Sequence, residues 1–403
     1  MERELMTSIN STSRVEIEET KIKSFNKDSR TSRSFRVYDG EYAGIQFVQG
    51  KIDIEEGYKQ AQENLALKRP YKFALETVSR HRDKTERSYT DKELMEITRE
   101  AVGYLKTHFP DYIFSGALYV TKKTLKTENT AGLDCSNTDC TLQADIAIKH
   151  KDSKDITDGW FSIGQRNFDF KKFTDMADNY LTNFTNMAEL PEELIVQTQY
   201  YGYLSKLTEC LEAENMALGT SLLSGKTGEK IFADSFTLAH DVSDKETWFT
   251  PFFDGEGVVQ PNDRRIYIEN GVLLSGYADK RTADKYGVPH TGSAGFNLTD
   301  IPNNGYTNLR IERSDKTVKQ LLGGRLTVVP IVAAGGGFND KGEYVTPVQT
   351  ALLCDGERFI GRLPEFAIKG NMFDMFGKNF IGVGSDDPVF NDKQILVKMD
   401  YSK

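Results

Sequence analysis

The chain has 403 residues, with 51 Lys and Arg against 60 Asp and Glu; a formal charge of -9 gives no basic field and argues against capture by nucleic acid or anionic lipid. A content of 38% hydrophobic and 11% aromatic residues supports the cores of two or three domains. The longest apolar run, residues 327–338, is broken by Pro330 and three glycines, no apolar signal core opens the sequence, and four scattered cysteines make no disulfide framework, so a cytoplasmic protein without membrane contact is expected.

Residues 1–33 are polar and poor in aromatics and read as an arm or a frayed edge strand. Lys21, Lys23, Lys27, Arg30, Arg33 and Arg36 form a basic run diluted by Glu16, Glu18, Glu19 and Asp28, which reads as solvated. An N-terminal α/β domain is placed at 34–190. It opens with a hairpin around Asp39-Gly40, between the apolar stretches 35–38 and 42–48. Asp53 and Glu56 start a helix with Ile54, Tyr58, Ala61 and Leu65 on one stripe. Thr90 and Glu93 form a capping box for a second, with Leu94, Ile97, Ala101, Val102 and Leu105 at the 3.6-residue period until Phe109-Pro110. Residues 112–148 alternate as a strand pair around the polar loop 129–134. A third helix carries Phe173, Met176, Ala177, Tyr180, Leu181 and Phe184, and a fourth is expected from 192 to 214.

The remainder, within a C-terminal domain placed at 191–403, is β-rich, with hairpins at Asn270-Gly271 and Asp355-Gly356. Helices early and hairpins late give an α+β fold class. Cys135 and Cys140 with Asp134 and Asp139 lack a full metal set and read as ordinary thiols. The stretch Gly219 to Thr227 misses the P-loop spacing, with five residues between its glycines where four are needed. His240-Asp241 has no matching nucleophile elbow and reads as a solvated loop histidine. Gly335, Gly336 and Gly337 would admit a second backbone, such as an extended peptide, or simply end a strand.

Several linked segments carry a family resemblance. Gly225-Lys-Thr-Gly-Glu-Lys-Ile231, Phe252-Phe-Asp-Gly-Glu-Gly-Val258, Ile268-Glu-Asn-Gly-Val-Leu-Leu-Ser-Gly-Tyr277, Thr291-Gly292, Ile368-Lys-Gly-Asn-Met-Phe-Asp-Met-Phe376 and Val383-Gly-Ser-Asp386 are similar, in order and spacing, to the C-terminal domain of the TldD/PmbA family. Residues 35–66 and 129–133 resemble its N-terminal domain, and Gly370-Asn-Met-Phe-Asp-Met-Phe376 resembles the PmbA (TldE) branch.

The resemblance implies a complex in which a TldD-like subunit holds zinc on a His-Glu-x-x-x-His helix plus a later cysteine, and the pair cleaves unfolded or leader peptides. Zinc brings the pKa of bound water to roughly 7, and the glutamate takes its proton. Here the histidines are His81, His108, His150, His240 and His290, so that motif cannot be formed, and no cysteine follows Cys354. An ungapped register puts Leu204, Ser205 and Glu209 at the motif's positions; a shifted one puts Thr198, Gln199 and Tyr203 there. The expectation is a subunit with no cofactor of its own, paired with a TldD-like zinc subunit and an unfolded peptide. Asp254, Glu256, Arg281, Thr291, Gly292, Gly335, Gly336 and Asn371 are candidates for the partner or peptide cleft, with pinning of hairpins ranked first for Asp254, Glu256 and Arg281. The alternatives are a self-sufficient hydrolase with a different site, or an interaction module of the DNA gyrase modulator type.

Overall fold

The computed structural model describes residues 1–199, 201–243, 248–389 and 393–403. Its N-terminal domain is built on strands β1 (Glu2–Glu18), β2 (Lys21–Tyr38), β3 (Tyr42–Gln49), β4 (Arg69–Pro70), β5 (Ser79–Asp83), β6 (Tyr112–Asn129), β7 (Asp134–His150) and β8 (Gly159–Gln165). They form one sheet in the order β4-β3-β2-β1-β6-β7-β5, and β8 pairs with β7.

This order corrects the reading of residues 1–33 as an arm or edge. β1 pairs with β2 on one side and β6 on the other, so it is an interior strand. Its polar middle concealed it, because an interior strand needs only its backbone ladder, and residues 7–14 are half-buried or exposed on both faces of the sheet. The period-two alternation does its work at the ends. Leu5, Val15 and Ile17 face the helices, while Glu4 and Met6 face the C-terminal domain.

Helices α1 (Ile54–Glu63), α2 (Asp91–His108) and α3 (Phe170–Leu181) cover the helical face. Asp53 caps α1 through the Glu55 and Glu56 amides, and Thr90 with Glu93 closes the expected capping box of α2. Phe114, Leu142, Phe161, Phe173 and Tyr180 form the core beneath α2 and α3, and that core continues into Val329, Ile331 and Leu352 of the C-terminal half.

In the C-terminal domain the helix expected over 192–214 begins instead with strand β9 (Leu194–Gln199), followed by α4 (Tyr201–Cys210) and α5 (Ala213–Ala217). Leu194, Ile195, Val196 and Gln197 are all at most 1% exposed, a both-faces burial that an interior strand satisfies and an amphipathic helix does not. Strands β10 (Leu238–Asp241), β11 (Arg264–Glu269), β12 (Val272–Leu273) and β13 (Leu309–Ile311) form a small sheet ordered β12-β11-β10-β13. Its Asn270-Gly271 turn has both residues at positive φ, 48° and 80°, as the dipeptide predicts. Helices α6 (Lys280–Tyr286) and α7 (Val318–Leu322) precede strands β14 (Thr327–Ala333), β15 (Gly337–Phe338), β16 (Glu343–Cys354), β17 (Phe359–Arg362), β18 (Phe366–Asn371), helix α8 (Met372–Phe376), β19 (Phe380–Val383) and β20 (Gln394–Ser402). The path β14-β9-β20-β18-β16 closes on itself through β14–β16 pairing, so these strands wrap a core of Val196, Val328, Ile368 and Val397. Among the described residues no helix is long and apolar enough to cross a membrane.

Candidate functional site

The matching segment around Asp254 folds as a tight loop whose ends are joined by the Asp254 amide donating to Val258 O at 3.0 Å. The Asp254 carboxylate staples it. Oδ1 accepts from the Glu256 and Val258 amides and Oδ2 from the Ala294 amide, each at 2.9 Å. Glu256 turns the other way: Oε1 accepts from the Tyr71 hydroxyl at 3.3 Å and Oε2 from the Lys280 amide at 3.0 Å, while Lys280 Nζ reaches Glu76 at 2.7 Å.

Across the domain junction, Glu4 and Arg36 stand opposite one another in the β1–β2 register. Arg36 donates to Glu4 Oε1 at 2.9 Å, Gly255 O at 3.3 Å and Asn297 O at 2.6 Å, and Tyr38 donates to Glu4 Oε1 at 3.2 Å. Burial defines what this network can do. Glu4, Arg36, Asp254 and Glu256 are 2%, 0%, 1% and 3% exposed. Burial raises both the Asp254 and Glu256 carboxyls above the usual range, Glu256 further because Asp254 repels its charge and it accepts fewer amides. A general acid or base must come within hydrogen-bond reach of a reacting group. These carboxyls instead spend their oxygens on loop amides and a tyrosine: Asp254 closes the 254–258 loop, and Glu256 through Tyr71, with Arg36 donating to Gly255 O, ties that loop to the N-terminal domain.

The other candidates divide. Thr291 and Gly292 pack behind this loop within the C-terminal domain. Thr291 Oγ1 accepts from the Ala278 amide at 2.8 Å, and Gly292 sits at φ 60° where a Cβ would strike the Gln260 amide group. Arg281 is exposed on α6. Gly335, Gly336 and Asn371 belong to the barrel. A Cβ on Gly336 would collide with Val345 and Thr346 of β16, so the close backbone approach is made by the chain's own strand. Asn371 caps α8, its Oδ1 accepting from the Phe373 amide at 2.9 Å. Sequence reasoning missed Glu4, Arg36, Tyr38, Tyr71 and Lys280. Only the hairpin register of β1 and β2, with its apolar neighbours Leu5, Phe35 and Val37, could have signalled that Glu4 and Arg36 are inside.

Two readings change. His240 is not a solvated loop residue. It lies in β10 at 2% exposure, its Nδ1 accepts from the Asn308 amide at 2.9 Å, and burial lowers its pKa to about 4. Arg36, placed in a solvated run, is buried as above. Cys135 and Cys140 are five positions apart on β7 and enter different cores, so they cannot grip one ion. After Gly219 the chain runs on through turns, without the helix N-terminus that a phosphate cradle needs.

Residues 196–396 match the family described as PmbA/TldA metallopeptidase C-terminal domain. This C-terminal stretch belongs to the PmbA/TldD family. The chain is 29% identical over 183 residues to a metalloprotease of Methanothermobacter thermautotrophicus, a match covering 45% of this chain and 39% of that protein. The chain therefore spans well under half the length of this curated relative. Its fold is similar to TldE from Thermococcus kodakarensis (TM-score 0.81, 18% identity, 99% of this chain and 96% of that one). It is also similar to a Thermotoga maritima protein described as a candidate modulator of a DNA gyrase (TM-score 0.77, 20% identity, 100% and 96%).

The PmbA/TldD metallopeptidase description raises the question of a metal, and α4 is where the ungapped register would place its ligands. Leu204 is 3% exposed in the barrel core, Ser205 Oγ donates to Gly202 O at 2.7 Å, and Glu209 accepts from Lys206 Nζ at 2.8 Å. In the shifted register Thr198 and Gln199 fall on β9, and Tyr203 packs on Tyr344 with ring centroids 4.9 Å apart. Neither set supplies an imidazole or thiolate, and among the described residues no group of three or more His, Cys, Asp and Glu side chains is placed to hold an ion. These donors do not fit zinc.

Proposed function

We propose that this chain is the metal-free, PmbA/TldE-type subunit of a two-component peptidase, in which a TldD-type partner carries zinc and this chain closes the chamber and helps hold an unfolded or leader peptide. The observation that carries the reading is α4. A family helix that would present two imidazoles and a base presents a core leucine, a self-capped serine and an ion-paired glutamate. A cytoplasmic location belongs to the same proposal and is supported by four free cysteines. The reading of a self-sufficient hydrolase is weakened by those same thiols. All four are buried, and burial raises the pKa of each, which disfavours the nucleophilic thiolate.

Co-expression with a TldD-type chain tests the proposal. The expected result is a stable mixed complex whose zinc, measured by metal analysis of the separated chains, stays with the partner, and peptide cleavage that needs both chains. Cleavage of unfolded peptides by this chain alone in the presence of a chelator, or two chains that never associate, would overturn it.

A further inference from the structure

Strand β8 is an edge. It pairs with β7 from Gly159↔Ile148 to Gln165↔Leu142, and among the described residues it has no ladder on its other side. That side borders a cleft of about 350 Å³ walled by β14 and the ends of β9 and β20. The opposite wall cannot close it. β14 and β9 pair only at Val328↔Val196 and then part, and Pro330 of β14 has no N–H to offer β8. At one end the walls meet, because a Cβ on Gly159 would lie 2.7 Å from Ile331 Cγ2. Gln394 lines the cleft at 4% exposure. Its Oε1 accepts from Gln197 at 2.8 Å.

The edge also lacks the usual protection. Proteins guard open strands with charge, and the outer part of β2 does so with Lys21, Lys23, Lys27 and Arg30. β8 reads GWFSIGQ, with no charged residue. Its alternation sends Phe161 and Ile163 into the core and Trp160, Ser162 and Gly164 to the open face. Trp160 is 49% exposed beside the cleft, and a Cβ on Gly164 would overlap the indole of Trp248. Both tryptophans of the chain thus border one strand, at positions four residues or about 13 Å apart.

We propose that the cleft edge of β8 binds an extended polypeptide segment by strand addition, with Trp160 as an aromatic wall for alternate side chains. Unpaired main-chain donors and acceptors repeating along a strand are complementary to another peptide backbone. The recess between β8 and β14, about 350 Å³, is on the scale of a short extended segment and small for the folded edge of a second copy. The inference deepens the peptide-holding role above and rests on it only for the peptide's origin.

The chain's own tryptophans report the test. In a Trp248→Phe variant, Trp160 is the sole tryptophan and is excited selectively. It is titrated with a tryptophan-free decapeptide alternating Val and Thr between terminal lysines, and with two versions N-methylated on one or the other alternate set of amides. The expected result is a saturable change in Trp160 emission, an affinity loss of at least tenfold for only one methylated version, and weakened binding in a Trp160→Ala variant followed by calorimetry. No saturable change, equal binding of all three peptides, or light scattering that shows self-association lost on changing Trp160 would overturn the proposal. The measurement uses this chain alone, so failure to bind a TldD-type partner leaves it readable, and a partner complex without peptide binding here removes only this inference.

Discussion

At Arg36 a cation gives up all of its water and regains a carboxylate, two backbone carbonyls and a tyrosine-bridged neighbour. Removing one member of such a pair leaves the other charge buried and unpaired, which costs about 3–5 kcal/mol. Arg36→Ala should therefore lose stability of that order in urea unfolding. The double variant Arg36→Met with Glu4→Leu should regain part of it, and only part, because the carbonyls of Gly255 and Asn297 stay without their donor. His240 makes a different prediction. Its folded pKa of about 4 lies below its ordinary 6.5, so its neutral form stabilises the fold fully above 6.5, and that contribution is lost as pH falls toward 4. The loss is on the order of 3 kcal/mol. His240→Asn, which keeps an acceptor for the Asn308 amide, should flatten this part of the acid limb when unfolding is followed from pH 7 to 4; an unchanged slope would mean the imidazole is not held neutral.

Among the elements, the local ones were legible and the distant ones were not. The Thr90–Glu93 box, the Asp53 cap and the Asn270-Gly271 turn each depend on residues within about four positions, and each forms as its sequence predicts. β9 was misread because a short run of buried branched residues suits a helix or a strand equally well until its neighbours β14 and β20 are known. β1 was misread because its middle is polar. The structure makes a sharp prediction there. Deleting residues 1–18 should abolish soluble, β-rich protein in circular dichroism, since it would separate β2 from β6 in the centre of the sheet; a mobile arm would be removable without that loss.

At the scale of the molecule, the two domains are joined by polar pins as well as by a shared core. Arg80 donates to both carboxylate oxygens of Asp263 at 2.6 Å, and Arg82 donates to Val242 O at 2.8 Å, with both guanidinium groups over the ring of Phe252. Arg80 is partly exposed, so a double-mutant cycle of Arg80→Ala and Asp263→Ala should give a coupling of about 1 kcal/mol. If unfolding of the single variants splits into two transitions, the pins hold the domains together; a single transition in every variant would assign that task to the apolar core. The candidate cleft residues follow the same logic. Glu256 reaches Tyr71 across the junction and Asp254, Thr291 and Gly292 pack behind it within the C-terminal domain, while Gly335, Gly336 and Asn371 serve the barrel and Arg281 meets solvent.

By itself the sequence determined the α+β class, the capped helices, the tight hairpins and the loss of the imidazole pair, because each depends on residue type or on neighbours a few positions apart. The tertiary structure alone decided that β1 is central, that β9 is a strand, that Arg36 pairs with Glu4 across 32 positions and reaches Gly255 across 219, and that β8 keeps one edge open. Such contacts are selected by the fit of whole surfaces and by the burial of charge, and no short window of sequence carries that information.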